Sequence, residues 1–146
     1  MRIIFVFLFS LCFLSGYRPS NGAELRQVRC DIHLASEKLK PGGTGEIILT
    51  FSPEEGIHIN TDPPMEFQFE KNALVHFTGV TAMPKMTITG YLDTKRPVKY
   101  TFTLDKKIHA GKHTLKGSVH YFFCSDTEGW CNRSTQPIQL TFMVAQ

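Results

Sequence analysis

The sequence predicts an all-β protein built as a two-sheet antiparallel sandwich, and three observations predict it. Apolar and polar residues alternate with period 2 through most of residues 28–144. No stretch of helical length there carries a 3.6-residue period. Clusters such as Lys40-Pro41-Gly42-Gly43-Thr44-Gly45, with the Pro and Gly that turns demand, punctuate the alternation.

The first residues are of a different kind. Arg2 precedes an apolar run from Ile3 to Leu14, after which Ser15-Gly16 turns small and polar. That is the layout of an export leader. The apolar core is about a dozen residues, whereas a spanning helix needs ~20, so cleavage near Gly22-Ala23 is expected rather than a retained anchor. Leu11 is too large for the position before a lipoprotein cysteine, which leaves Cys12 in the discarded segment. Residues 1–23 are therefore read as a signal peptide and residues 24–146 as one domain of roughly 120 residues, destined for the periplasm or secretion. Of sixteen basic residues the leader removes Arg2 and Arg18, and all thirteen acidic ones remain, so the formal net charge falls from +3 to +1. No nucleic-acid partner is implied by so small a charge.

In the first strand Val28, Cys30, Ile32 and Leu34 share one face while Gln27, Arg29, Asp31 and His33 take the other, which puts Cys30 in the core. After the glycine-rich turn, Glu46 to Phe51 resumes as a strand with Ile47, Leu49 and Phe51 inward. Those glycines lack the following helix and Lys-Ser/Thr pair of a phosphate loop. Further strands are predicted at Phe67 to Phe69, Leu74 to Thr78, Val98 to Leu104, Thr114 to Phe123 and Ile138 to Val144. Two segments interrupt the pattern: Pro53 to Pro64, a short strand with a Pro-Pro stop, and the long connection from Ala82 to Lys95. Seven or eight short strands without helices form an immunoglobulin-like sandwich, because each sheet must bury its apolar face against another. Interrupting loops often carry function in such a fold.

Chemistry concentrates in Cys124-Ser125-Asp126-Thr127-Glu128-Gly129-Trp130-Cys131, which bridges the two C-terminal strands. The two thiols can meet across that hairpin-like connection, in a compartment where disulfides persist. Closing so short a loop gains only about 2.5 kcal/mol by the chain-entropy estimate. An ordinary loop-closing bridge and a reactive pair both fit the spacing, and the residues leave open whether Cys30 pairs with either thiol. Tyr121, Phe122, Phe123 and Trp130 are expected to crowd apolar surface around the sulfurs and to offer a docking surface. Asp126 and Glu128 tend to raise a nearby thiol's pKa, which argues against a strongly activated nucleophile.

The stretch Val119-His120-Tyr121-Phe122-Phe123-Cys124 through Gly129-Trp130-Cys131 resembles the N-terminal periplasmic domain of the DsbD thiol:disulfide interchange family, where two close cysteines follow an aromatic-bearing strand. Gly56-Ile57-His58-Ile59-Asn60, followed by Pro63-Pro64, is similar to the segment that family places beside the cysteines. The resemblance covers essentially the whole mature chain. It implies an immunoglobulin-like domain with a reducing dithiol, a component of a protein-disulfide reductase system. Electrons would come from a membrane donor with a thioredoxin-like module and pass to disulfide-containing periplasmic client proteins. In that scheme Cys131 forms the mixed disulfide, Cys124 resolves it, and the loop from Ala82 to Asp93 caps the pair. Two departures stand out. Asn132-Arg133-Ser134 follows Cys131 where the family has prolines, and no aromatic neighbours His58 and Asn60 in the sequence. The family's membrane and thioredoxin-like parts are not in this sequence, so its electrons are expected from another polypeptide.

The alternative is a non-enzymatic interaction module with a structural disulfide. A copper-binding protein is a further one, since His58, Met65, Met83 and Met86 could join a cysteine in a soft site. Methionine as gap-filler explains the same residues. No His-x-His or Cys-x-x-Cys spacing is present, so no metal or cofactor is expected. The sequon at Asn132 is read as chance, and no serine elbow or ordered triad suggests a hydrolase. The domain is expected to act as a monomer.

Overall fold

The computed structural model describes residues 27–145, so the leader read over residues 1–23 lies outside the described residues. Within them the chain forms β1 Val28–Leu34, β2 Lys38–Leu39, β3 Thr44–Pro53, β4 Ile57–Ile59, β5 Glu66–Phe69, β6 Val75–Ala82, β7 Val98–Leu104, β8 Gly111–Ser125 and β9 Trp130–Val144, with no helix among them. One sheet runs β1-β3-β7-β6; the other runs β2-β9-β8-β4, with β5 also paired to β8. The fold is the all-β, immunoglobulin-like sandwich.

The alternation of the sequence becomes the core. Ile47, Leu49 and Phe51 of β3 and Val98, Tyr100, Phe102 and Leu104 of β7 point inward from the first sheet. Tyr121 of β8 and Ile138, Phe142 and Val144 of β9 meet them from the second. Aromatic rings join the two layers: Phe51 and Tyr121 lie edge to face at 5.1 Å, and Phe102 and Phe142 are 6.1 Å apart. Gly45 is required where β3 crosses the ring of Phe102, because a Cβ there would overlap the ring.

Two features differ from the sequence prediction. The sandwich is not wholly antiparallel, since β2 pairs in parallel with the end of β9, Lys38 opposite Met143. Such a two-residue strand carries no period for a pattern to reveal. In addition β8 and β9 run 15 residues each, well beyond Thr114 to Phe123 and Ile138 to Val144. Residues 132–137 are exposed or half-buried and carry no apolar side chain at alternate positions, so this part of β9 has no amphipathic alternation. Backbone pairing holds it instead, in a continuous register from Gly111 opposite Val144 to Ser125 opposite Trp130.

Candidate functional site

At the far end of the β8–β9 ribbon the chain turns through Asp126-Thr127-Glu128-Gly129. Gly129 adopts φ 71° there, a conformation that favours glycine, and its N–H closes the turn on the Ser125 carbonyl at 2.9 Å. The Ser125 hydroxyl accepts the Glu128 N–H at 3.2 Å. Cys124 and Cys131 are the cross-strand partners just inside this turn, with Cα atoms 4.1 Å apart, and they are joined in a disulfide. Among the described residues Cys30 is the free cysteine, half-buried on β1 opposite Phe51. Its thiol is pushed up to about 12 by burial and then by the neighbouring Asp31 carboxylate.

On the other side of β8, β4 pairs in antiparallel register with His58 opposite Cys124. Directly opposed residues project to one face of a sheet. His58, Cys124 and Cys131 therefore form a row across the second sheet, on the face turned away from the core, while Ile59 is buried beneath. A residue on an outer face is ordinarily wet, yet Cys124 is only 5% exposed. Cys131 is exposed. The two residues of one bond thus differ sharply in their exposure to solvent.

The cover is built by the segment between β6 and β7. Residues 84–93 form a small hairpin: Lys85 bridges Leu92, the Met86 N–H meets the Tyr91 carbonyl at 2.7 Å, and the Asp93 N–H meets the Pro84 carbonyl at 2.9 Å. The hairpin is clipped to the end of β4 by the Leu92 N–H on the Ile59 carbonyl at 2.9 Å and by the Thr61 hydroxyl on the Gly90 carbonyl at 2.5 Å. At its C-terminal base, hydrogen bonds from Arg96 and the Lys95 N–H hold the Asp93 carboxyl below its usual range. Tyr91 then stacks flat on His58, ring centroids 3.6 Å apart and planes 14° from parallel. Its hydroxyl donates to both Asp126 carboxylate oxygens at 3.2 and 3.3 Å, and His58 Nδ1 lies 3.5 Å from the same carboxylate. Desolvation and Asp126 raise the Tyr91 phenol above its ordinary value, so it keeps the donating proton.

These groups line an open cleft of about 300 Å³ together with Asn60, Cys124, Trp130 and Cys131 among others. Asn60, the residue after β4, is pinned by its N–H on the Phe122 carbonyl at 2.9 Å and places Nδ2 3.2 Å from Cys124 Sγ. Its Oδ1 is buried without a hydrogen-bond partner. Trp130 stands edge to face with Phe123 at 6.0 Å, 88° between planes, and its Nε1 donates to the Glu128 carboxylate.

The structure thus brings Cys124, Cys131, His58 and Asn60 together. It moves Tyr121 away, because that side chain points into the core, so of the four aromatics expected around the sulfurs Trp130 lines the pocket and Phe123 supports it. Sequence reasoning missed Tyr91. The aromatic lacking beside His58 in the sequence is supplied from a distant loop, and only the tertiary contact reveals it. The carboxylates of Asp126 and Glu128 are engaged by Tyr91 and Trp130. The residues considered for copper are partly committed elsewhere: Met65 is buried in the core, Met83 packs against it and Met86 is half-exposed on the loop. No group of three His, Cys, Asp or Glu side chains among the described residues could hold a metal ion.

No family model matches the chain, and no curated protein matches it. Among solved structures it is similar to AggA, the major subunit of aggregative adherence fimbriae type I from Escherichia coli, at 8% identity and a TM-score of 0.45, covering 81% of this chain and 95% of that one.

Proposed function

We propose that the domain exchanges disulfides with other proteins through the Cys124–Cys131 bond, as the DsbD resemblance implies, with Cys131 the sulfur that partners engage. The observation that carries this reading is the asymmetry of the pair. Thiol–disulfide exchange is an in-line attack of a thiolate on one sulfur of a disulfide, and access decides which sulfur is attacked. Cys131 is exposed, whereas Cys124 is only 5% exposed, at the pocket it shares with His58, Asn60 and Tyr91.

The steps follow from that geometry. A thiolate of a dithiol donor attacks Cys131 Sγ; a donor–Cys131 disulfide forms, the Cys124–Cys131 bond breaks, and its electron pair leaves on Cys124 Sγ as a thiolate. The donor's second thiolate then attacks its own bridged sulfur and releases Cys131. The donor is now a disulfide and the domain a dithiol, two electrons richer. In the forward direction the Cys131 thiolate attacks a client disulfide and expels one client thiolate. The Cys124 thiolate then attacks Cys131 Sγ, expels the second client thiolate and reforms the bridge. The donor is a thioredoxin-like module of a membrane protein, and the clients are oxidised periplasmic proteins. Ile88, 97% exposed at the tip of the covering hairpin, and the exposed Met86 give an approaching protein an apolar contact on that hairpin.

The test uses a Cys30→Ala background and single cysteine variants incubated with oxidised glutathione. Cys124→Ala should collect one glutathione on Cys131 within minutes, read by intact mass, whereas Cys131→Ala should leave Cys124 unmodified over the same time. Equal labelling, or preferential labelling of Cys124, would overturn the assignment.

A further inference from the structure

Asn60 plays no part in the strand pattern, yet its amide meets the buried sulfur of the bridge. A disulfide sulfur has no hydrogen to offer, so of the two ends of a carboxamide only the N–H can bond it. Nδ2 does so at 3.2 Å, short for a contact with sulfur. The same side chain leaves Oδ1 buried and unsatisfied. Buried polar atoms without partners are rare in folded proteins, and each calls for an explanation, a redox role among them. The residue is also held firmly: its own N–H is fixed on Phe122, and both neighbours Ile59 and Thr61 bond the covering hairpin.

We infer that Asn60 is a positioning residue for exchange, holding an N–H donor against Cys124 so that this sulfur leaves, and later attacks, as a stabilised thiolate. The inference rests on the exchange reading above. When a partner thiolate bonds Cys131 Sγ, the electron pair of the broken bond arrives on Cys124 Sγ, and the Nδ2 donor already in place becomes a charge-assisted hydrogen bond. A hydrogen bond to the charged form lowers a group's pKa, and a less basic leaving thiolate departs faster. Burial alone acts in the opposite direction on Cys124, and no Lys or Arg lines the pocket to offset it. The donor is therefore the group that makes a buried sulfur serviceable as a leaving group, while burial keeps it from being attacked itself.

The experiment compares the folded domain with Asn60→Asp, which keeps size and shape but cannot donate when ionised, and with Asn60→Ala. Two quantities are read: the rate of bridge reduction by dithiothreitol, and the Cys124 pKa in the reduced protein from its ¹³Cβ shift. Reduction should slow by about tenfold in Asn60→Ala and by more in Asn60→Asp, with the Cys124 pKa rising in the same order. A packing role would spare the isosteric Asp variant, so an Asp variant that matches wild type overturns the inference, as does an unchanged Cys124 pKa in both. If Asn60→Asp fails to fold, Asn60→Ser, which retains a donor, must fall between wild type and Ala. Should the wild-type bridge itself resist dithiothreitol until the domain unfolds, the exchange reading fails and this role with it. Wild-type exchange with insensitive variants overturns this role alone.

Discussion

Cys30, half-buried, and Cys124, buried, show how two cysteines of one chain differ in consequence. Cys30 packs against the core, and desolvation and then Asp31 disfavour its thiolate, so its pKa is pushed up to about 12, above the ordinary thiol value near 9 that the unfolded chain approximates. Between those values the unfolded chain has lost the proton and the folded one still holds it, so stability falls as pH rises through that window. Below pH 9 both states hold the proton and the effect vanishes. Denaturant midpoints measured from pH 8 to 11 should therefore decline in wild type, and Cys30→Val should remove part of that decline. The same burial predicts that iodoacetamide at pH 8 leaves Cys30 unlabelled until the domain unfolds. Cys30 was legible in the sequence because period 2 alone sends it inward. Asn60 was visible only as part of a segment resembling one beside the cysteines, and its bond to Cys124 depends on a pairing 64 residues away in the chain.

At the scale of elements, the site is the meeting of a strand edge, a hairpin end and a covering loop. β7 was legible residue for residue, since both of its faces follow the alternation from Val98 to Leu104. The half of β9 nearest the cysteine turn was not, because residues 132–137 carry no apolar alternation and lie exposed or half-buried, whereas the facing half of β8 follows the alternation inward through Val119 and Tyr121. The pairing of β4 with the end of β8 is a register choice, and three residues hold too little pattern to specify it. The loop over the site shows as an interruption in the sequence, but that Tyr91 rather than another of its residues covers His58 is decided by the clip on Ile59 and Thr61. If that cover shields the bond, Tyr91→Ala should speed reduction by glutathione by about three- to tenfold while leaving far-UV circular dichroism unchanged, in keeping with control of cysteine reactivity by exposure. An unchanged rate would assign the shielding to Trp130 instead. Gly129→Val should disturb the turn between the cysteines, since a β-branched residue is strained at φ 71°. A loss of about 1–3 kcal/mol in chemical denaturation is expected.

For the whole molecule, the bridge is nearly dispensable to the fold. Two extended strands already pair along their full length, and the closed loop is short, so removing the disulfide as Cys124→Ala with Cys131→Ala should cost no more than about 2.5 kcal/mol. A single core truncation should cost as much or more: Phe102→Ala, at a fully buried ring that touches both sheets, about 3–5 kcal/mol. The sandwich is therefore expected to stay folded without the bond, whose two cysteines are one exposed and one buried. The measurement that tests this most directly is the reduction potential of the Cys124–Cys131 pair in the folded domain, by equilibration with dithiothreitol or glutathione buffers and mass-spectrometric thiol counting. The account predicts a potential above about −300 mV, within reach of thioredoxin-like partners, reached while the domain stays folded. A bridge that yields only below that value, or only as the sandwich unfolds, would contradict it and leave the disulfide a structural staple.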